Sequence, residues 1–266
     1  MGKYSMTSII VPTYNQEEHT IKCFESILKH TNSDDYRLIW ADDGSTQESF
    51  EMVYGTFQKF KHRRITKSYE NVGFIKNVNS AIRLNILFDK PDSIVLLNND
   101  TEVTPNWLPQ LTQALEIFDI IGAVTTPKTQ WQSYHNLFKL IGVTAPAFMA
   151  TKEEAQKAIC TYIKNKYHSV SGVSFFCAAF RTKIFNEIGF LSEDYGVGYG
   201  EDNDFCKRVI DKGKAIAIAL GCFIYHHHHG TFDSVYDSET ISKIKEKNMA
   251  TFKNKHNIPD NYVEYK

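Results

Sequence analysis

Through the first half of the chain, short apolar runs alternate with longer segments of helically spaced apolar residues, and few folds accommodate both periods. Thr7 to Val11 and Leu38-Ile39-Trp40-Ala41 read as strands, separated by Ile21, Phe24, Ile27 and Leu28 at helical spacing. Runs of four or five are too short for an ordinary helix and suit strands buried on both faces of a parallel sheet, whereas spacings of three and four mark the buried stripe of a helix. The alternation continues: a helix through Phe50, Val53, Phe57 and Phe60, a strand near Arg64 to Ser68, and a helix through Ile82, Ile86 and Leu87. The strand Ile94 to Leu97, a helix over Asn106 to Phe118 and a strand over Ile120 to Thr125 follow. This βαβ rhythm predicts an α/β fold with a Rossmann-like, doubly wound, mostly parallel central sheet flanked by helices and joined by right-handed crossovers.

The second half is less regular. From Pro127 to about His168 the pattern loosens, mixing aromatic and polar residues (Trp131, Tyr134, His135, Phe138, Phe148), and this stretch is the least readable. A strand is expected at Val173 to Phe180, a helix from Gly200 with Phe205 and Val209 on one face, two strands at Ala215 to Leu220 and Cys222 to Tyr225, and a charged helix from Asp237 to His256. No repeat or low-complexity linker divides the 266 residues, so one domain is expected, with halves at 1–125 and 126–236 and a helical tail at 237–266. Thirty Lys and Arg against 31 Asp and Glu leave no global basic field for nucleic acid or anionic lipid. Five cysteines, at 23, 160, 177, 206 and 222, are odd in number and lack CxxC spacing, which argues against a disulfide framework or zinc site and for a reducing cytoplasm. No apolar stretch is long enough to span a bilayer and Met1 to Ser5 lacks a signal-peptide pattern, so any membrane contact is expected to be peripheral.

Polar clusters sit where the apolar runs end. Asn98-Asn99-Asp100 closes the Ile94 strand, and ligands of open α/β sheets bind at the carboxyl ends of strands. A hard oxygen ligand such as Asp100 there suits Mg²⁺ or Mn²⁺ bridging two phosphates. The ordinary alternative is that the tripeptide caps a helix starting near Pro105. Pro12-Thr13-Tyr14-Asn15, Asp42-Asp43-Gly44-Ser45-Thr46 and His226-His227-His228-His229-Gly230-Thr231-Phe232 close other strands, and Gly200-Glu201-Asp202-Asn203-Asp204 opens a helix. Each alone could be a turn, a cap or a dipole partner; five together point to one site. The four histidines are internal and end an apolar strand, which argues against a tag, and strand alternation puts His226 and His228 on one face and His227 and His229 on the other.

In order and spacing, these clusters, with Asn71-Val72-Gly73-Phe74 and Leu97 to Val103, resemble the family-2 inverting glycosyltransferases of the GT-A fold over nearly the whole chain. The resemblance implies a nucleotide-sugar donor, most simply a UDP-sugar, laid across the first half, with the acceptor and catalytic base supplied by the second. Tyr14 would stack on uracil and Asp43 accept from its N3 hydrogen, with Pro12, Thr13 and Asn15 shaping the pocket. Asn71, Gly73 and Lys76 would lie under the base and ribose or reach the phosphates. Asn98 and Asn99 would face the ribose or sugar and Asp100 would hold Mn²⁺ or Mg²⁺, joined by His226, set by its spacing to Thr231-Phe232, or alternatively by His228. Asp202 would be the base and Glu201 would orient a substrate. The expected activity is metal-dependent transfer of a hexose or N-acetylhexosamine to a saccharide or other hydroxyl acceptor. The rivals are a sugar nucleotidyltransferase, which would carry a Gly-rich basic loop where Pro12 to Asn15 stands, and a non-catalytic nucleotide-sugar-binding module, which would have lost Asp100 or Asp202.

Overall fold

A computed structural model describes residues 6–125, 132–140, 159, 163, 165–228 and 235–259. Its first half follows the predicted rhythm: β1 (Thr7–Thr13), α1 (Glu17–His30), β2 (Tyr36–Asp42), α2 (Gln47–Phe57), β3 (Arg63–Lys67), α3 (Phe74–Phe88), β4 (Ser93–Leu97), β5 (Thr101–Glu102), α4 (Trp107–Ala114) and β6 (Ile120–Val124). Then come α5 (Tyr134–Leu140), β7 (Tyr167–Ser169), β8 (Cys177–Arg181), α6 (Lys183–Ile188), α7 (Glu201–Asp211), β9 (Ile216–Phe223), β10 (Tyr225–His226) and α8 (Ser238–Lys255).

Eight strands form one sheet in the order β3-β2-β1-β4-β8-β6-β9-β7. β1 runs parallel to β2 and β4, and β2 to β3. β8 is inserted antiparallel between β4 and β6, and β6 and β9 pair in parallel. Every residue of β1, β4 and β6 is buried, as strands covered by helices on both faces require. Adjacent residues serve opposite faces: Ile10 joins the core built with Ile75, Val78, Phe180 and Phe205, while Ile9 joins that of Phe24, Trp40, Phe57 and Trp107.

Some expectations need correction. β8 begins at Cys177 instead of Val173, because the chain before it bonds elsewhere: Val173 N donates to Cys206 Sγ at 3.5 Å and Ser174 N to Gln132 Oε1. α4 stops at Ala114, well short of Phe118. The expected strands 215–220 and 222–225 are one strand, β9, carrying an irregularity: β6 residue Ala123 pairs with Ala219, but the next residue, Val124, pairs with Phe223. Such a bulge bends a strand, and the chain then leaves the sheet so that β10 pairs with β5, His226 opposite Thr101. α6 had no clear signal in its six residues. Cys23, Cys177, Cys206 and Cys222 are buried thiols, and among the described residues no helix is long and apolar enough to cross a membrane.

Candidate active site

A cleft of about 970 Å³ opens at the carboxyl ends of β1, β2 and β4 and is closed from the other side by the start of α7, the end of β10 and one face of α8. Pro12, Thr13, Tyr14 and Asp43 line its first-half end. The Thr13 hydroxyl accepts from Trp40 Nε1 at 2.7 Å and donates to Asp42 at 3.4 Å, so this side chain locks the β1–β2 tips together. Asp43 is 4% exposed, and its two carboxylate oxygens accept from the backbone N–H groups of Val72 at 2.9 Å and Gly73 at 3.0 Å. Burial raises its pKa and these two bonds oppose the rise. Gly44, at φ +75°, makes this close approach possible: a Cβ there would sit 2.5 Å from the Glu70 carbonyl carbon.

Not every expected residue reaches the cleft. Asn71 and Gly73 line it. Lys76 points from the exposed side of α3 and is absent from the lining, and the neighbouring Asn77 lines it instead. Asn15 is also outside; its N–H donates to Ser45 Oγ at 2.8 Å and its Oδ1 accepts from Thr46 N at 3.0 Å. It staples the loop after β1 to the loop after β2, a structural job.

At the tip of β4, Asn98, Asn99 and Asp100 all line the cleft. The capping alternative fails, because α4 starts after Asn106, itself in the left-handed conformation with no side-chain cap. Asn99 donates to Thr20 at 3.0 Å, which fixes the turn. Asp100 is 3% exposed, and its Oδ1 lies 3.1 Å from His226 Nε2. Burial alone would raise the Asp100 pKa, but the hydrogen bond and charge of His226 outweigh it and hold the carboxyl below its ordinary value. The His226 ring stacks on Phe176, with centroids 5.1 Å apart, and lies 4.0 Å from the His228 ring. His227 turns away: its Nε2 sits 2.8 Å from Glu102. His226 and His228 therefore share the cleft face and His227 does not. His229 and Thr231-Phe232 lie outside the described residues, as do Trp131, Phe148 and the side chains of His135 and Phe138.

This corner fits a divalent cation by its donor chemistry. It offers one carboxylate and two imidazoles, and His226 Nδ1 is buried with no hydrogen-bond partner. Among the described residues no three His, Cys, Asp or Glu groups are poised to hold a metal unaided, so a cation here needs further oxygens from a ligand, as a diphosphate supplies.

Across the cleft, α7 begins after Gly200 (φ +104°) with Glu201 and Asp202, both on the cleft wall. Asp202 is half-buried and accepts from Asn203 N at 2.8 Å, with Ser174 Oγ 3.5 Å from its other oxygen. Glu201 is buried, its Oε2 has no partner, and burial followed by the charge of Asp202 pushes its pKa up to about 8. A buried carboxyl with a raised pKa beside a second carboxyl is a common arrangement for acid–base work. Asp204 plays another part: it is fully buried, with Arg208 Nε at 2.8 Å and His256 Nε2 at 3.0 Å.

Sequence reasoning missed the contribution of α8. Lys245, Asn248, Met249 and Phe252 all line the cleft, but the helix carries so many charges that its one buried asparagine has no distinguishing signal.

The profile of glycosyl transferase family 2 matches residues 8–189. The chain is 22% identical over 241 residues to a chondroitin synthase from Escherichia coli, covering 82% of this chain and 34% of that protein. It spans well under half the length of the curated relatives it matches. Among solved structures, a mannosyltransferase from Pyrobaculum calidifontis in complex with GDP-Man and Mn²⁺ superposes with TM-score 0.67 at 12% identity, covering 97% of this chain and 65% of the other. S. aureus TarS 1–349 in complex with UDP-GlcNAc superposes with TM-score 0.59 at 15% identity, covering 97% and 68%. At these identities the structural likeness speaks to the fold.

Proposed function

This chain belongs to glycosyl transferase family 2, and we propose that it is a metal-dependent inverting glycosyltransferase moving a hexose or N-acetylhexosamine from a UDP-sugar to a saccharide or other hydroxyl acceptor. The observation that carries this reading is that a single cleft faces the Asp100–His226 pair on one side and the Glu201–Asp202 pair on the other. Family membership leaves no support for the nucleotidyltransferase alternative, and the presence of both pairs argues against a module that only binds.

Tyr14 stacks on the base. Asp43, with each oxygen still owning a free lone pair after its backbone bonds, accepts from the N3 hydrogen of uracil. Asn71 and Gly73 border the ribose, and Asn98 and Asn99 face the ribose or sugar. Asp100 with His226, or with His228, would hold Mn²⁺ or Mg²⁺, which when bound takes up charge on the leaving diphosphate. Asp202 accepts the proton of the attacking hydroxyl as the new bond forms, and no enzyme nucleophile is required. Glu201 orients the acceptor or the donor sugar beside it; at neutral pH its carboxyl holds a proton and can donate a hydrogen bond. The four buried thiols suit a reducing compartment.

Melting temperatures measured with UDP, dTDP, GDP and ADP, with and without Mn²⁺, test the donor end. A ligand that binds only the folded state stabilises it by mass action. The largest shift is expected for UDP with Mn²⁺; equal shifts from all four nucleotides would reject the uracil pocket.

A further inference from the structure

The turn that delivers Glu201 and Asp202 is strained. Gly196, Gly198, Tyr199 and Gly200 all have positive φ, at 64°, 150°, 65° and 104°, and Tyr199 is not a glycine. Non-glycine residues there cost free energy and persist only where surrounding structure fixes them. The fixing group is Asn248 on α8. Its Nδ2 amide lies 2.9 Å from the Tyr195 carbonyl, 2.8 Å from that of Gly198 and 2.8 Å from that of Tyr199. Asn248 is 3% exposed, and its Cβ lies 3.7 Å from where a side chain on Gly200 would begin, so the helix packs directly on the turn.

Other residues of α8 reinforce that grip. Lys245 Nζ sits 4.6 Å from the centre of the Tyr199 ring. At the far end, Lys255 and His256 reach the fully buried Asp204 inside the first turn of α7, at 3.2 and 3.0 Å. The catalytic pair at positions 201 and 202 is therefore held from α8 on both sides. Both α7 and α8 lie beyond residue 189, where the family match ends.

We propose that Asn248 is a positioning residue: it holds the 195–200 turn in its strained form and so aims the Glu201–Asp202 pair into the cleft. This rests on Asp202 being the base. An error of about 1 Å in such a group costs roughly a hundredfold in rate. Asn248 lines the cleft, but its amide bonds go to the 195–200 turn and not to the β1 and β4 tips or Asp43, so its loss should act on turnover more than on UDP affinity.

The test compares Asn248→Ala, Asn248→Asp and Asn248→Ser with the unmodified chain in UDP-sugar turnover, UDP affinity and amide exchange of residues 196–202. Asp has the same shape but no donor; Ser keeps one. Ile241→Ala, which removes a buried side chain from the same helix away from the turn, is the control for general destabilisation. The expected result is a kcat roughly ten- to a hundredfold lower for Ala and Asp, with less loss for Ser. UDP affinity should change much less than kcat, and exchange should be faster only around 196–202. Ala and Asp variants that keep full kcat would overturn the proposal, as would an equal kcat loss in Ile241→Ala. If Asn248→Ala does not fold, Asn248→Asp alone is judged by the same criteria. Absence of turnover in the unmodified chain would refute the functional reading instead, and the exchange comparison would then decide the role of Asn248 alone.

Discussion

Glu201 should make the folded state pH-sensitive in a window where few carboxyls act. In the fold its pKa stands at about 8, against an ordinary value of 4.5, because burial and then Asp202 disfavour the charged form. Between those values the native chain keeps a proton that the unfolded chain has released, so stability falls as pH rises. The contribution is fully present below pH 4.5 and lost as pH climbs through about 8. One pKa unit is worth about 1.4 kcal/mol, so the window spans several kcal/mol, roughly 3–5 in all. Glu201→Gln keeps the shape and cannot ionise. Its melting temperature should match the unmodified chain near pH 5 and exceed it by about 6–15 °C near pH 8.5, since each kcal/mol moves the melting point of a domain this size by roughly 2–4 °C. The assay is thermal unfolding at pH 5, 6, 7 and 8.5 on both proteins. Parallel curves across that range would refute the reasoning, because they would mean that Glu201 titrates alike in the folded and unfolded chains.

Other outcomes follow from the same geometry. Asp100→Ala and His226→Ala should each weaken Mn²⁺-dependent UDP binding in calorimetry, while His227→Ala, whose ring is turned to Glu102, should do so much less; damage from His228→Ala with a silent His226→Ala would move the metal ligand to His228. Asp202→Asn should lower transfer by roughly two to four orders of magnitude, the usual worth of a positioned base, with little change in UDP affinity. The N-cap of α7 is Gly200, so Asp202 has no capping part to lose, and near-normal turnover in that variant would remove it from the mechanism and shift suspicion to Glu201.

Much of this arrangement was legible because strand and helix periods are local. Ile9 and Ile10 declare a two-faced strand without any partner in view, and polar clusters at strand ends declare where a ligand can lie. Strand alternation predicts that His227 turns away from its neighbours, as it does, although β10 ends at His226 and His228 reaches the cleft from left-handed backbone at φ 58°. What escaped is non-local. Asp43 is read from sequence as an open acceptor, yet its carboxylate is half committed to the 72–73 backbone. Lys76 is one residue from the cleft in sequence but on the wrong side of α3. The jump between Ala123 and Val124 merges two expected strands into β9, and only pairing with β6 reveals it. Asn248 looks like any polar helix residue until the 195–200 turn folds against it.

Configuration of the first-formed product tests the central claim most directly. The chain would be given Mn²⁺ and the α-linked UDP-sugar that stabilises it most, with water as acceptor, and the released sugar read by proton NMR before it equilibrates. With Asp202 as base and no enzyme nucleophile, displacement inverts the anomeric carbon, so the β anomer should appear first, and Asp202→Asn should slow its appearance by roughly the same two to four orders of magnitude. Initial release of the α anomer would contradict the account, because retention cannot come from a single displacement at this site.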